Sequence, residues 1–222
     1  MLMKTKNKKS TNLVKGAKTV KASSWLALNP LVKKYRILEN GVHPLFLNRW
    51  SARAMNGKNL EMKELLPLFE AARWAPSSFN NQHWKFLYAT RKSKEWKTFL
   101  HLLGEKNQFW CKNAGALIVI ISKKTFDQDN SLALTHSFDT GAAWENLALQ
   151  AIINGLVVHA MQGFDYGRTR EALDVPEGYS VEAMVAVGKP GKKEDLPKEL
   201  QEREFPSGRK KLCDMIIEGK FN

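Results

Sequence analysis

Ala75-Pro-Ser-Ser-Phe-Asn-Asn-Gln-His-Trp84 is the stretch around which the rest of this chain arranges itself. A helical pattern runs into it from Leu60 to Trp74, and an apolar strand pattern leaves it from Trp84 to Ala89. Between them Ser77, Ser78, Asn80, Asn81 and Gln82 crowd hydroxyls and amides onto one turn whose flanks are both anchored in core. On the plainer reading Pro76 stops the helix and the polar residues merely cap and turn the chain. A plain helix-to-strand connection needs fewer side-chain hydrogen-bonding groups, so this turn reads as a cradle for a polar ligand.

Working outward, the bulk properties set the class. A chain of 222 residues with 43% hydrophobic and 26% charged residues suits one large globular domain, or at most two. No apolar run approaches the roughly 20 residues of a membrane span, and the basic N-terminus lacks a secretory or Arg-rich transit pattern. Cys111 and Cys213, with no CxxC spacing, read as incidental thiols in a reducing compartment, which makes the expected location cytoplasmic. The net charge of +13 is uneven. Residues 1 to 21 hold seven Lys and no acid, so more than half of the excess sits in a leader without aromatics. Residues 1–22 therefore read as a flexible basic tail, 23–47 as a helical extension broken near Pro30, and 48–222 as the functional domain. No recognition helix, zinc finger or aromatic-studded RNA-binding strand accompanies the charge, so nucleic acid is not the expected partner.

Asn48-Arg-Trp-Ser-Ala-Arg53 places two arginines four apart, on one face if the segment opens a helix, a pair suited to phosphate. Pro67 marks either a kink or a later start of the 60–74 helix. Lys94 to Gly104 reads as a short helix. Ala116 to Ser122 reads as a strand buried on both faces. Lys123 to Ala133 is irregular. Asp139 to Asn154 forms a long helix rich in small residues, ended by Gly155 in a left-handed cap. Strands at Leu156–Met161 and Val181–Val187 enclose a short helix at Arg168–Leu173. Four strands bury neither the 139–154 helix nor the apolar stretch after Arg209 completely, which implies a partner subunit.

The usual catalytic signatures are missing. No GxxxxGK[ST], GxGxxG, HExxH or GxSxG occurs, and the five histidines have no ligand spacing. His136, Ser137 and Asp139 read as the start of a helix. No metal site is expected. The remaining polar residues suit a site whose reactive atoms belong to a bound cofactor.

Taken in order, these motifs resemble the nitroreductase family of FMN-dependent oxidoreductases over about Arg49 to Arg209. Asn48–Arg53 is similar to the family's R-R-S-x-R, and Ala72–Trp84 to its A-x-x-A-P-S-x-x-N-x-Q-P-W. Asp139–Ala151 with Gly155-Leu156 resembles its central helix, and Gln162-Gly-Phe164, Glu171-Ala-Leu173, Pro176-Glu-Gly178 and Gly188-Lys-Pro190 follow in family order. The sequence departs where Trp50 replaces a second arginine and His83 the usual proline.

The resemblance implies an α+β fold, a central mainly antiparallel sheet flanked by helices, in an intertwined homodimer clasping FMN at its interface. Arg49, Trp50, Ser51 and Arg53 would then hold the phosphate and ribityl chain, with Arg209 and Lys211 from the tail. Asn80 and Gln82 would meet the isoalloxazine and ribityl groups. Pro76, Ser77 and Ser78 would shape the pocket from the other subunit, and Met161, Gln162 and Gly163 would offer backbone amides to the flavin edge. Phe109, Trp110 and Phe126 are the candidates to stack on substrate, although lone aromatics are more often core. The implied reaction is ping-pong: NADH or NADPH gives a hydride to flavin N5, and a nitroaromatic, quinone or similar small electron-poor acceptor removes it. No side chain is required as catalyst. The alternatives are a flavin-binding sensor or store without turnover, and a flavin-fragmenting or dehalogenating relative.

Overall fold

The computed structural model describes residues 26–221, so the Lys-rich tail assigned to 1–22 lies outside the described residues. The element order is α1 (Pro30–Lys33), α2 (Pro44–Asn48), α3 (Met62–Arg73), β1 (Trp84–Thr90), α4 (Trp96–Leu102), α5 (Glu105–Cys111), β2 (Ala116–Lys123), α6 (His136–Ile153), β3 (Val157–Met161), α7 (Tyr166–Ala172), β4 (Tyr179–Gly188) and α8 (Lys198–Gln201).

The four strands form one antiparallel sheet in the order β1-β2-β4-β3. Strand β2 lies inside it with Ala116 to Ile120 at most 1% exposed, as its unbroken apolar run requires. Alternation along this strand divides the core in two. Leu117, Val119 and Ile121 pack with α4, α5 and Met184. Ala116, Ile118 and Ile120 pack on the other face with Leu65 and Leu68 of α3 and Leu147 and Ala151 of α6. Helix α6 thus buries its small-residue face within the same chain, and Gly155 ends it at φ +70, where glycine sits without strain.

Three expectations need correction. The single helix expected over the N-terminal extension is two short helices, each started by a proline and capped by Asn29 or His43. Asn40 and Gly41, both at positive φ, turn the chain between them. The Arg49–Arg53 segment is not the opening of a helix. It leaves α2 extended, and the backbone N–H groups of Arg53 and Ala54 donate to Glu204 Oε1 (2.7 and 2.8 Å) rather than into a helical ladder. Finally, α3 starts at Met62 and continues through Pro67, which excludes the later start, and it is held at its start by reciprocal Glu61–Glu64 capping.

Candidate functional site

Two groups of the expected residues assemble separately within one protomer. The first surrounds a cleft of about 330 Å³ lined by Arg36, Arg49, Trp50, Ser51, Arg53, His159, Arg203, Phe205, Ser207 and Arg209. Five guanidiniums from three chain segments meet there. The extended backbone at 49–53 and the returning chain at 203–209 form its two walls, tied through Glu204. That carboxylate is 6% exposed, accepts the two N–H groups described above, and lies 3.8 Å from Arg53 Nη1. Arg49 is fixed from the other side by Glu145 of α6, with Nε 3.2 Å from Oε1.

Charge dominates this cleft. Burial, then the like charges of Arg209 and Arg49, lowers Arg36 to about 10. Burial and the nearby Arg53 guanidinium lower His159 from 6.5 to about 4, against the pull of the Ala52 and Ser51 carbonyls. His159 Nδ1 sits 3.1 Å from Ala52 O, and its ring lies 4.8 Å from Trp110. The imidazole is accordingly neutral at pH 7. A surplus of cationic forks facing one concave space is the donor set that phosphate oxygens need.

The second group is the 75–84 turn, and local hydrogen bonds build it. Ser78 N donates to Asp139 Oδ2 (2.9 Å), which pins the turn to the start of α6, and Gln82 N donates to Ser77 Oγ (3.0 Å). Phe79, Asn80 and Gln82 all stand at φ near +50, a left-handed conformation that asparagine tolerates and phenylalanine does not favour. Asn81 is spent inside the protein, accepting from Asp127 N (2.9 Å) and meeting His83 Nδ1 at 3.0 Å. The side chains of Asn80 and Gln82 stay exposed, with Gln82 Nε2 donating to Asn80 O (3.1 Å) and Oδ1 (3.3 Å), which leaves further amide donors and acceptors open to a ligand. His83 is 1% exposed, with Nδ1 also 3.0 Å from Lys123 O and Nε2 3.8 Å from Asp139 Oδ2.

No residue of this turn lines the arginine cleft within the protomer. Met161 is buried beside Cys111, whose thiol burial pushes well up, while Gln162 and Gly163 are exposed at the end of β3. That loop is held by Gly163 O, which accepts from Gly104 N (3.0 Å) and Asn107 Nδ2 (2.9 Å). Lys211 is exposed beyond the cleft and does not line it. Of the three aromatics, Phe109 is 60% exposed and Phe126 is half-buried, edge-on to Phe79 and His83 at 5.5 Å. Trp110 is a correction. It is 1% exposed, donates to Asn107 Oδ1 (3.2 Å), and fills core beneath β3 rather than facing a substrate.

Sequence reasoning missed Arg36, His159, Arg203, Phe205 and Ser207, which reach the cleft from positions with no local signal. It also missed a partly buried cluster in which Ser122 Oγ contacts His136 Nδ1 (2.7 Å) and donates to Glu182, while Ser137 Oγ donates to Glu182 Oε1 (2.7 Å). The carboxylate meets the hydroxyls directly and Ser122 is fully buried, so this is a clamp for the start of α6 and not a nucleophile with its base. Among the described residues no group of three His, Cys, Asp or Glu is placed to hold a metal, and no helix is long and apolar enough to cross a membrane.

Set beside known proteins, this chain belongs to the nitroreductase family, an oxidoreductase family whose sequence profile matches residues 47–100 and 92–189. A solved oxidoreductase containing FMN is 46% identical, with a TM-score of 0.81 over 84% of this chain and 96% of that one. A putative nitroreductase from Desulfovibrio desulfuricans, solved in complex with FMN, shares the fold at 20% identity (TM-score 0.63, 83% of this chain, 100% of that one). A putative NADH oxidase from Clostridium acetobutylicum does so at 22% identity (TM-score 0.62, 79% and 99%).

Proposed function

We propose that the protein is an FMN-dependent oxidoreductase that takes reducing equivalents from NADH or NADPH and delivers them to a small electron-poor acceptor such as a nitroaromatic or quinone. The observation that carries this reading is the convergence of five arginines on one cleft in a nitroreductase fold. The 46% identical solved relative, which contains FMN, supports the choice of nucleotide.

Arg49, Arg53 and Arg209 would hold the phosphate, as paired guanidinium forks match its oxygens, and Ser51 would add a hydroxyl beside them. Neutral His159 keeps further positive charge out of that wall and offers an uncharged ring edge to the ribityl chain. Asn80 and Gln82 would supply amide donors and acceptors to the flavin edge, with Pro76, Ser77 and Ser78 shaping the turn that carries them. Bound there, the flavin would supply the hydride-carrying atom that none of these side chains can provide. Asp139 and His83 hold the turn, and the protein's further task is to align two planar molecules and exclude water.

Two copies of the chain complete the site in this reading. Phe79 (90% exposed) on the turn, and Leu134 (85%) and Phe138 (80%) around the start of α6 to which Asp139 ties that turn, present uncovered apolar side chains. A partner protomer covering them would bring its own arginine cleft to the turn. The reading is tested by anaerobic mixing of purified, flavin-loaded protein with NADH or NADPH. Bleaching of the flavin absorbance followed by its return on adding a quinone is the expected result. A flavin that binds and is never bleached by either nicotinamide would mark a sensor or store.

A further inference from the structure

Arg36 comes from the N-terminal extension, ahead of every motif that marks the family, yet it lines the arginine cleft at 9% exposure. Its bonds are unusual for a phosphate-binding arginine. Nη1 donates to Leu47 O (2.6 Å) and Arg49 O (2.8 Å), and Nε donates to Ser207 O (2.9 Å). One guanidinium therefore spans the segment that delivers Arg49 and the returning chain that delivers Arg209, fixing the separation of the two walls. Its Nη2 donates to no described residue. The adjacent Tyr35 stacks on Phe205 with ring centroids 5.1 Å apart, so the extension grips the second wall at two points. A buried cation beside Arg49 and Arg209 is repelled by both, and that cost falls when an anion occupies the cleft.

We propose that Arg36 makes the N-terminal extension a component of the phosphate site, as a positioning residue that sets the spacing of Arg49 and Arg209 and is itself stabilised by the bound phosphate. The inference rests on the flavin-nucleotide reading and extends it to a segment outside the family motifs. It predicts linkage in both directions. Phosphate in the cleft orders the extension against the 203–209 wall, and loss of the Arg36 fork opens the phosphate site without touching the amide turn.

The test uses the full chain freed of flavin, titrated with FMN and separately with riboflavin, which lacks the phosphate, and melted in rising inorganic phosphate at ionic strength held constant with chloride. Arg36→Ala is expected to weaken FMN roughly 10- to 100-fold. It should leave riboflavin affinity within about twofold and abolish the phosphate-dependent rise in melting temperature, because only the phosphate wall has moved. Arg36→Lys keeps the charge, cannot span three carbonyls, and is expected to recover FMN affinity only in part. It carries the same comparison if the alanine variant does not fold. Equal weakening of FMN and riboflavin, or full phosphate stabilisation without Arg36, overturns the proposal. A wild-type chain that binds neither flavin but gains Arg36-dependent stability from phosphate refutes the flavin reading alone. A chain that prefers FMN to riboflavin equally with and without Arg36 refutes this inference alone.

Discussion

The arginine cleft and the amide turn are both polar, both part of the proposed nucleotide site, and held by opposite means. The cleft is assembled from residues up to 171 positions apart, joined by side chains reaching foreign backbone, as Arg36 does to Ser207. The turn is assembled largely from neighbours, with Gln82 N on Ser77 Oγ and Asn81 on His83, while Asp139, Asp127 and Lys123 reach it from afar. The cleft stores like-charge repulsion. The turn stores left-handed backbone and an exposed phenylalanine. The difference implies that the cleft needs an anion and the turn needs a second surface.

Breaking the cleft from inside gives the largest effect. Glu204→Ala removes the one buried carboxylate joining its walls and leaves two backbone N–H groups and Arg53 without their acceptor. Urea denaturation is expected to show a loss of about 4 kcal/mol, with Glu204→Gln retaining part of it. The next effect is a pH dependence. The folded-state value of His159 lies near 4, below its ordinary 6.5, so the unfolded chain binds the extra proton. Stability is full above about 6.5 and falls as pH drops from there toward 4, by about 3 kcal/mol at most. His159→Gln should flatten that limb. Saturating phosphate should flatten it too, because an anion beside the imidazole favours its charged form.

The turn gives smaller effects. Asp139→Ala deprives Ser78 N of its acceptor and is expected to cost about 2 kcal/mol. Hydrogen exchange should speed up through residues 78–82 while the 49–54 amides stay protected. Last, Phe79→Ser should change protomer stability by no more than about 0.5 kcal/mol, since the ring is 90% exposed. The same variant should shift the chain toward monomer in sedimentation, which separates a surface awaiting a partner from one that merely faces water.

How much of this the sequence disclosed follows the same division. Strand β2, the Gly155 cap and the polarity of the turn are local properties of consecutive residues, and each was legible. Arg49, Arg53 and Arg209 were legible as candidates, although through motif resemblance and not through any helical face. Arg36, Arg203 and His159 were not, because isolated basic residues on a basic chain carry no pattern until the backbone brings them together. Trp110 misled for the same reason. A lone tryptophan near a loop looks the same in sequence whether it hydrogen-bonds Asn107 and packs against His159 or stacks on a substrate.

We propose one flavin nucleotide held jointly by the cleft of one copy and the turn of another. Sedimentation velocity of the purified chain with added FMN, followed at protein and at flavin wavelengths, addresses this directly. A dimer boundary carrying the flavin absorbance is the predicted result, with Arg49→Ala and Asn80→Ala each depleting the colour. A chain that sediments as a colourless monomer while FMN stays behind with the solvent would contradict it.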